Sequence, residues 1–160
     1  MIKVLVVSDT HGRNERWLEI KKKVNPDIVL HAGDHCTSKE FMNEHATYWV
    51  AGNNDYIGDE IQIFTINDIR FILLHGHQVN RTNREKWRAS LAYMALSSNA
   101  SVLVYGHSHI EDVESVGKIL TINPGSLEFP RNNQMLPTYI TFEVHDNEIK
   151  NIETHYYTFN

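Results

Sequence analysis

The sequence predicts an α/β fold in which parallel strands come first and antiparallel hairpins come later. Apolar runs at 2–7, up to His31 and at 47–51 alternate with helical patterns near 14–24 and 38–45. This β-α-β-α-β order is typical of a parallel sheet, whose functional groups gather at the carboxyl ends of its strands. In the second half of the chain, apolar runs come in pairs around short turn signals, which indicates hairpins.

The two longer helices are predicted from their apolar faces. Trp17, Ile20 and Val24 recur at helical spacing, and Pro26 stops that helix. A second helix is predicted over 83–98, where four apolar residues share one face. These four residues are Trp87, Leu91, Met94 and Ala95.

The hairpin signals lie between and after these helices. The runs 61–66 and 69–74 flank Asn67-Asp68, which is typical of a tight two-residue turn. The remaining β structure is a strand near 101–105 and hairpins that turn at Gly117 and at Asp146-Asn147.

Composition limits the classes of function. The chain has 160 residues, of which 41% are hydrophobic, so we expect a single domain over 1–160. A formal charge of -5 gives no broad basic surface for long nucleic acid. The sequence shows no signal peptide and no apolar run long enough to cross a bilayer. It contains one cysteine, Cys36. We therefore expect a cytoplasmic protein with no membrane contact. Whether it forms homo-oligomers is left open by the sequence.

Seven side chains that can bind metal follow the apolar runs. Asp9 and His11 come just after the first run, two positions apart, where extended residues point to the same side. Alone, such a pair is more often a turn or a helix cap. Seven such side chains beyond successive strand ends are hard to explain as independent caps, and together they predict one shared metal site. The candidate ligands are Asp9, His11, Asp34, Asn53, His75, His107 and His109.

The number of ligands predicts two metal ions. A closed zinc site takes four ligands, whereas seven indicate two ions that share an oxygen bridge, for which Asp34 is the natural choice. Many imidazoles and no thiolate favour Mn, Fe, Co, Ni or Zn over Ca or Mg. Two divalent ions, less two carboxylates and one hydroxide, leave about one positive charge, which favours a phosphoester substrate.

The motifs, taken in order, resemble those of the calcineurin-like metallophosphoesterase superfamily, most closely its small single-domain prokaryotic phosphodiesterases. The resemblance covers residues 8–109, and a later stretch, Asn123 to Ser126 with Pro130-Arg131, is similar to a further motif of that group. The motifs are Asp9-x-His11, Gly33-Asp34, Gly52-Asn53-Asn54-Asp55, His75-Gly76-His77 and Gly106-His107-Ser108-His109.

The resemblance implies a four-layer α/β/β/α sandwich of two mixed sheets, with the metal site at the carboxyl ends of the strands. It implies that a hydroxide bridging two ions, Mn foremost, attacks a small phosphodiester. The alternatives are a phosphomonoesterase and a non-catalytic scaffold, which a related retromer subunit exemplifies. It places Asp9, His11 and His109 on one ion, Asn53, His75 and His107 on the other, and Asp34 between them.

The sequence departs from many superfamily members at one position. Asn54 stands where they have a histidine that helps the leaving oxygen, and an amide cannot donate a proton as an imidazolium does. We predict that Asn54 and His77 assist catalysis and bind substrate, and that Arg81 contacts the second ester arm. The alternatives are a turn role for His77 and a solvated helix face for the basic run that Arg81 begins. For His35 and Cys36, beside the predicted bridge, packing is favoured.

Overall fold

Two five-stranded mixed sheets lie face to face in the computed structural model, which describes residues 1–159. Helices cover both outer faces, so the predicted α/β/β/α order of layers is confirmed. The elements are β1 (Ile2–Val7), α1 (Glu15–Val24), β2 (Ile28–His31), α2 (Lys39–His45), β3 (Tyr48–Trp49), β4 (Ile61–Ile66), β5 (Ile69–Leu74), α3 (Arg84–Ser97), β6 (Val102–Val104), β7 (Glu111–Val116), β8 (Ile119–Pro124), β9 (Thr138–His145) and β10 (Glu148–Tyr156).

The first sheet has the order β10-β9-β1-β2-β3, and its β1, β2 and β3 are parallel, as predicted. The second sheet has the order β4-β5-β6-β8-β7, with β5, β6 and β8 parallel. β3 is shorter than the predicted strand, because the Ala51 N–H donates to Asp59 O (2.8 Å) as the chain turns away from β2. The parallel strands of both sheets deliver their carboxyl ends to one rim.

The strands at the centre of each sheet bury both faces. On β1, Val4 and Val6 pack in the layer between the sheets, whereas Leu5 and Val7 pack against the helices. This alternation follows from the two-residue period of a strand, and burial on both faces explains why the run is continuously apolar. Two stacked aromatic pairs also join the sheets, Tyr48 with Phe64 at 3.8 Å and Phe71 with Phe142 at 6.0 Å between ring centroids. Phe64 and Phe71 stack within the second sheet at 5.4 Å and connect the two pairs.

The helices pack by the faces that their periodicity predicts. Trp17 and Ile20 of α1 are buried against the first sheet, and Trp87 and Leu91 of α3 against the second. Each such large apolar side chain stabilises the fold by roughly 1.5–3 kcal/mol. Asn83 caps α3 by accepting the Lys86 N–H at 3.1 Å.

The predicted hairpins form at the predicted turns. Asn67, Gly117 and Asp146 have φ values of 53°, 58° and 52°, the left-handed conformation that two-residue hairpin turns require. Within residues 1–159, the helices are too short or too polar to span a bilayer.

Candidate metal centre

The predicted ligands follow strand ends that meet at one rim. Loop hydrogen bonds continue the sheet ladders beyond the strands: Asp9 N–H donates to Gly33 O (3.0 Å), and His11 N–H donates to Asp34 O (2.9 Å). On the second sheet, Gly106 N–H donates to His75 O (2.9 Å). These bonds fix the loops that carry the side chains, so the side chains lie at defined positions.

The ligand loops use an unusual backbone conformation. Left-handed φ values from 49° to 72° occur at five of the predicted ligands, although none is glycine. Asp and His tolerate this region better than β-branched residues do, at a cost of roughly 1–3 kcal/mol each. Such strain persists because the surrounding loop bonds determine the conformation. The five residues are Asp9, His11, Asp34, His107 and His109.

Two buried carboxylates face three imidazoles. Asp9 Oδ1 lies 3.2 Å from His109 Nε2, 3.7 Å from His75 Nε2 and 3.8 Å from His11 Nε2. Asp34 Oδ2 lies 3.3 Å from His75 Nε2 and 3.7 Å from His11 Nε2, and so contacts both imidazoles. Two sets of three donor atoms, Asp9-His11-His109 and Asp9-Asp34-His75, each lie within 4.8 Å of one another.

The donor atoms fit a cation. His75 Nδ1 pairs with Ala32 O (2.7 Å) and His109 Nδ1 with Phe129 O (2.6 Å), so each Nδ1 donates a proton and each Nε2 turns a lone pair toward the carboxylates. Within residues 1–159, the buried atoms Asp9 Oδ1, His11 Nε2 and His75 Nε2 have no hydrogen-bond partner. Buried lone pairs that face carboxylate oxygens repel one another unless a positive charge lies between them.

The surroundings of the cluster lower the pKa values of its two aspartates and raise those of His11 and His75. Burial raises the pKa of Asp9, but His75, His109 and His11 outweigh it and hold that pKa below its ordinary value. For Asp34, burial is likewise outweighed by His75 and Asn54, and its pKa falls to about 2. The nearby Asp9 carboxylate raises the pKa of His11, because it stabilises the protonated ring. Burial lowers the pKa of His75, but Asp9 and Asp34 outweigh it and raise that pKa.

His107 and Asn53, the remaining predicted ligands, lie differently. The His107 ring is half-buried, its centroid 4.9 Å from that of His75, and its backbone N–H donates to Asp9 Oδ2 (3.2 Å). Burial, with His75 and Arg81 nearby, lowers the pKa of His107 to about 4. Asn53 is exposed and, within residues 1–159, its side chain forms no hydrogen bond. The structure therefore brings six of the seven side chains together and leaves that of Asn53 at the edge.

The predicted catalytic and substrate residues surround this cluster. Asn54 holds Asp34 with two donors, because its backbone N–H and its Nδ2 reach Oδ1 and Oδ2 at 2.9 Å each. The His77 ring centroid lies 5.6 Å from that of His75, and its Nε2 lies 3.1 Å from Glu60 Oε2. Arg81 Nη1 donates to His107 O (3.0 Å). All three side chains thus lie beside predicted ligands.

Sequence reasoning gave no role to several residues that support the centre. Ser8 Oγ donates to Asp9 Oδ2 (2.6 Å), and Ser126 Oγ donates to Asp9 O (2.8 Å). The buried Asp55 carboxylate accepts the N–H groups of Gly52 (2.8 Å) and Cys36 (2.7 Å), and so joins two ligand loops. Asp55 and Ser126 lie inside motifs of the sequence, and this position is the signal that could have indicated their supporting role.

His31 is a further support that the sequence left unassigned. It is fully buried behind the ligand loops, where its Nδ1 accepts the Gly33 N–H (3.1 Å) and its Nε2 pairs with Thr10 Oγ1 (2.9 Å). A proton on Nδ1 would face the Gly33 donor, so the ring stays neutral. Burial and the nearby His35 lower the pKa of His31 to about 3.

Two glycines are needed where loops cross close to the carboxylates. A Cβ at Gly52 would collide with Asp34 Oδ1 and its backbone N–H. A Cβ at Gly106 would collide with Ser8 Oγ and would lie 2.9 Å from Asp9 Oδ2. The Gly residues of these motifs therefore leave space for the ligands of the opposite loop.

This fold and this cluster are those of the metallophosphoesterase class. The profile of the calcineurin-like phosphoesterase superfamily domain matches residues 2–147. The chain belongs to this superfamily, and the resemblance predicted from the motifs is confirmed.

Individual relatives support the same assignment. A probable metallophosphoesterase of Mycoplasma genitalium is 52% identical over 98% of this chain and 96% of its own length. A phosphodiesterase of Methanocaldococcus jannaschii is 30% identical over 78% of this chain and 83% of its own. The crystal structure of a predicted phosphoesterase from Streptococcus pneumoniae superposes with a TM-score of 0.82 at 27% identity, and the match covers 96% of this chain and 88% of that one.

Replacing His31 with glutamine tests its neutral state. Glutamine keeps a donor for Thr10 but does not titrate. Below pH 6.5 the unfolded wild-type chain gains a proton at His31 that the folded protein does not, so the wild type loses up to about 1.4 kcal/mol of unfolding free energy per pH unit. We expect the stability advantage of wild type over His31→Gln to shrink from pH 7 to pH 4.5 in chemical denaturation of metal-free protein. A constant difference across this range contradicts the neutral assignment.

Metal content should depend on pH. Imidazole binds metal only when neutral, and the raised pKa values of His11 and His75 let protons compete from near-neutral pH downward. We expect Mn²⁺ affinity to be weaker at pH 5 than at pH 8 by about tenfold or more. Dialysis against equal free Mn²⁺ followed by elemental analysis measures this. Equal occupancy at both values would argue against ligation by histidine.

Proposed function

We propose that this protein is a dinuclear metal-dependent phosphodiesterase that hydrolyses small phosphodiesters. The observation that carries the proposal is the set of buried lone pairs of Asp9, His11 and His75, which converge without a hydrogen-bond partner within residues 1–159. Four imidazoles and two carboxylates suit first-row divalent metals, with Mn first and Fe, Ni, Co or Zn as further candidates. The phosphodiesterase of Methanocaldococcus jannaschii supports the diester rather than the monoester reading.

The proposed ligand assignment divides the cluster between two ions. Asp34 would bridge the two ions, which its contacts with both His11 and His75 support. One ion would be held by Asp9, His11 and His109, and the other by Asn53, His75 and His107.

When bound, divalent ions would supply Lewis-acid chemistry, which activates water and neutralises negative charge on a phosphoester. The chain's own residues position the reactants. Asn54 holds the bridging carboxylate by both oxygens and so fixes its orientation. Arg81, anchored to His107 O, presents a cation beside the centre for the substrate phosphate or its second arm.

His77 is the proposed second polar contact of the substrate. Its Nδ1 is buried and has no hydrogen-bond partner within residues 1–159, while its Nε2 contacts an exposed glutamate. His35, the other histidine near the centre, has both ring nitrogens engaged, with the Thr37 N–H (3.1 Å) and with Ile57 O (3.1 Å). His77, unlike His35, therefore keeps one ring nitrogen without a protein partner. We assign it the role of orienting a phosphoryl oxygen.

Hydrolysis of bis(p-nitrophenyl) phosphate tests the proposed activity. We expect turnover after loading with Mn²⁺ and a loss in kcat/KM of about 100-fold or more in Asp34→Asn, which removes the bridging charge. Asp146→Asn is the matched control, because it makes the same change at an exposed hairpin turn and should keep wild-type turnover. Two bound metal ions per chain without turnover would instead favour a non-catalytic scaffold.

The leaving group should matter strongly. Asn54 cannot protonate a departing alkoxide, and a general acid contributes about 10²–10⁴-fold. We expect kcat/KM on aryl phosphodiesters to exceed that on alkyl phosphodiesters by at least about 100-fold, and Asn54→His to narrow this ratio. Comparable rates on both ester types in the wild type, with chemistry rate-limiting, would refute the expectation.

A further inference from the structure

A cavity lies beside the metal centre, between the start of α3 and the turn that carries His107 and His109. Its volume is about 300 Å³. Trp87 and Ile110 give it an apolar part, and the Trp87 indole is fixed because its Nε1–H donates to Gly76 O (2.9 Å). The other lining residues include Arg81, Arg84, Arg131 and Ser108.

Two of these arginines are attached to the predicted metal ligands. Arg81 Nη1 donates to His107 O (3.0 Å), and the Arg131 backbone N–H donates to His109 O (3.0 Å). His107 and His109 are assigned to different ions. The cavity therefore adjoins both predicted halves of the centre.

The positive charge of this cavity is poorly neutralised. Within the described part of the chain, its lining includes no Asp or Glu, and Arg81 and Arg131 form no ion pair. Arg84 lies 3.3 Å from Asp112, but that carboxylate also binds Arg88 at 2.6 Å. In a chain whose formal charge is -5, three guanidinium groups around one cavity are a local exception.

From this arrangement we infer that the cavity binds a second anionic group of the substrate, and that the natural substrate is a phosphodiester with a further phosphate on its second arm. The inference rests on the proposed function, since it places the scissile phosphate at the metal centre. Guanidinium groups recognise phosphate by paired hydrogen bonds, and the Trp87 and Ile110 surface suits the carbon skeleton between the two phosphates.

A pair of substrates that differ by one phosphate tests the inference. Thymidine 5'-(p-nitrophenyl phosphate) and its 3'-phosphorylated form release the same chromophore, so only the second arm differs. We expect kcat/KM about tenfold higher for the 3'-phosphorylated form, a preference that falls at high ionic strength because salt screens exposed guanidinium groups. Equal values of kcat/KM at low salt would overturn the inference while leaving the phosphodiesterase activity intact.

Variants locate the preference within the molecule. Arg131→Gln should reduce the ratio of the two kcat/KM values to near one, and Arg131→Lys should keep part of it. Arg70→Gln is the matched control, because Arg70 lies on β5 outside the cavity and its side chain bonds only Ser98 O among the described residues. A preference that survives both Arg131→Gln and Arg84→Gln would place the anion site elsewhere and would also overturn the inference.

A binding measurement separates failure of the inference from failure of the proposed activity. If neither ester is hydrolysed, inorganic phosphate is titrated into metal-free protein while the amide signals of Ser108 and Ile110 are followed by NMR. Shifts in the wild type that Arg131→Gln abolishes would support the anion site although the proposed activity had failed. The absence of such shifts would overturn the site itself.

Discussion

The structure depends on keeping one carboxylate, that of Asp9, ionised inside the protein. Asp9 is fully buried where the two sheets meet, and an isolated charge in such a place is strongly unfavourable. Ser8 Oγ and the His107 N–H satisfy one of its oxygens, and three imidazoles face the other. The missing Cβ of Gly106 leaves room for this arrangement. The loops from both sheets are therefore organised around a single negative charge.

Gathering side chains from several loops around Asp9 also requires strained backbone. Side chains from several strand ends reach one point only if the chain turns sharply after each strand. Left-handed residues make these turns: Asp9 and His11 after β1, Asp34 after β2, and His107 and His109 after β6. Glycine would adopt the same backbone without strain, but it has no side chain to offer a metal. The loops accept local strain because the cross-loop hydrogen bonds hold the conformation.

The apolar periodicity of the sequence was sufficient to predict the strands and helices, because each of these elements is specified by residues that are neighbours in the chain. Val4 to Val7 form a continuous apolar run since both faces of β1 are covered. The candidate ligands could be proposed from the sequence because each lies in the loop that follows its own strand. Ser126 and Arg131 lie in a motif that the sequence shows, but their roles depend on how separate loops meet: Ser126 bonds Asp9 from 117 residues away, and Arg131 lines the cavity.

Two neighbouring histidines show how the surroundings determine what each side chain can do. The rings of His75 and His107 lie 4.9 Å apart, yet the pKa of His75 is raised and that of His107 is lowered to about 4. His75 is buried but faces Asp9 and Asp34, whereas His107 is half-buried and faces His75 and Arg81. Protons on His75 and cations at the centre are thus alternative ways to neutralise the same buried carboxylates. A site that needs positive charge in either state is suited to releasing protons as metal binds.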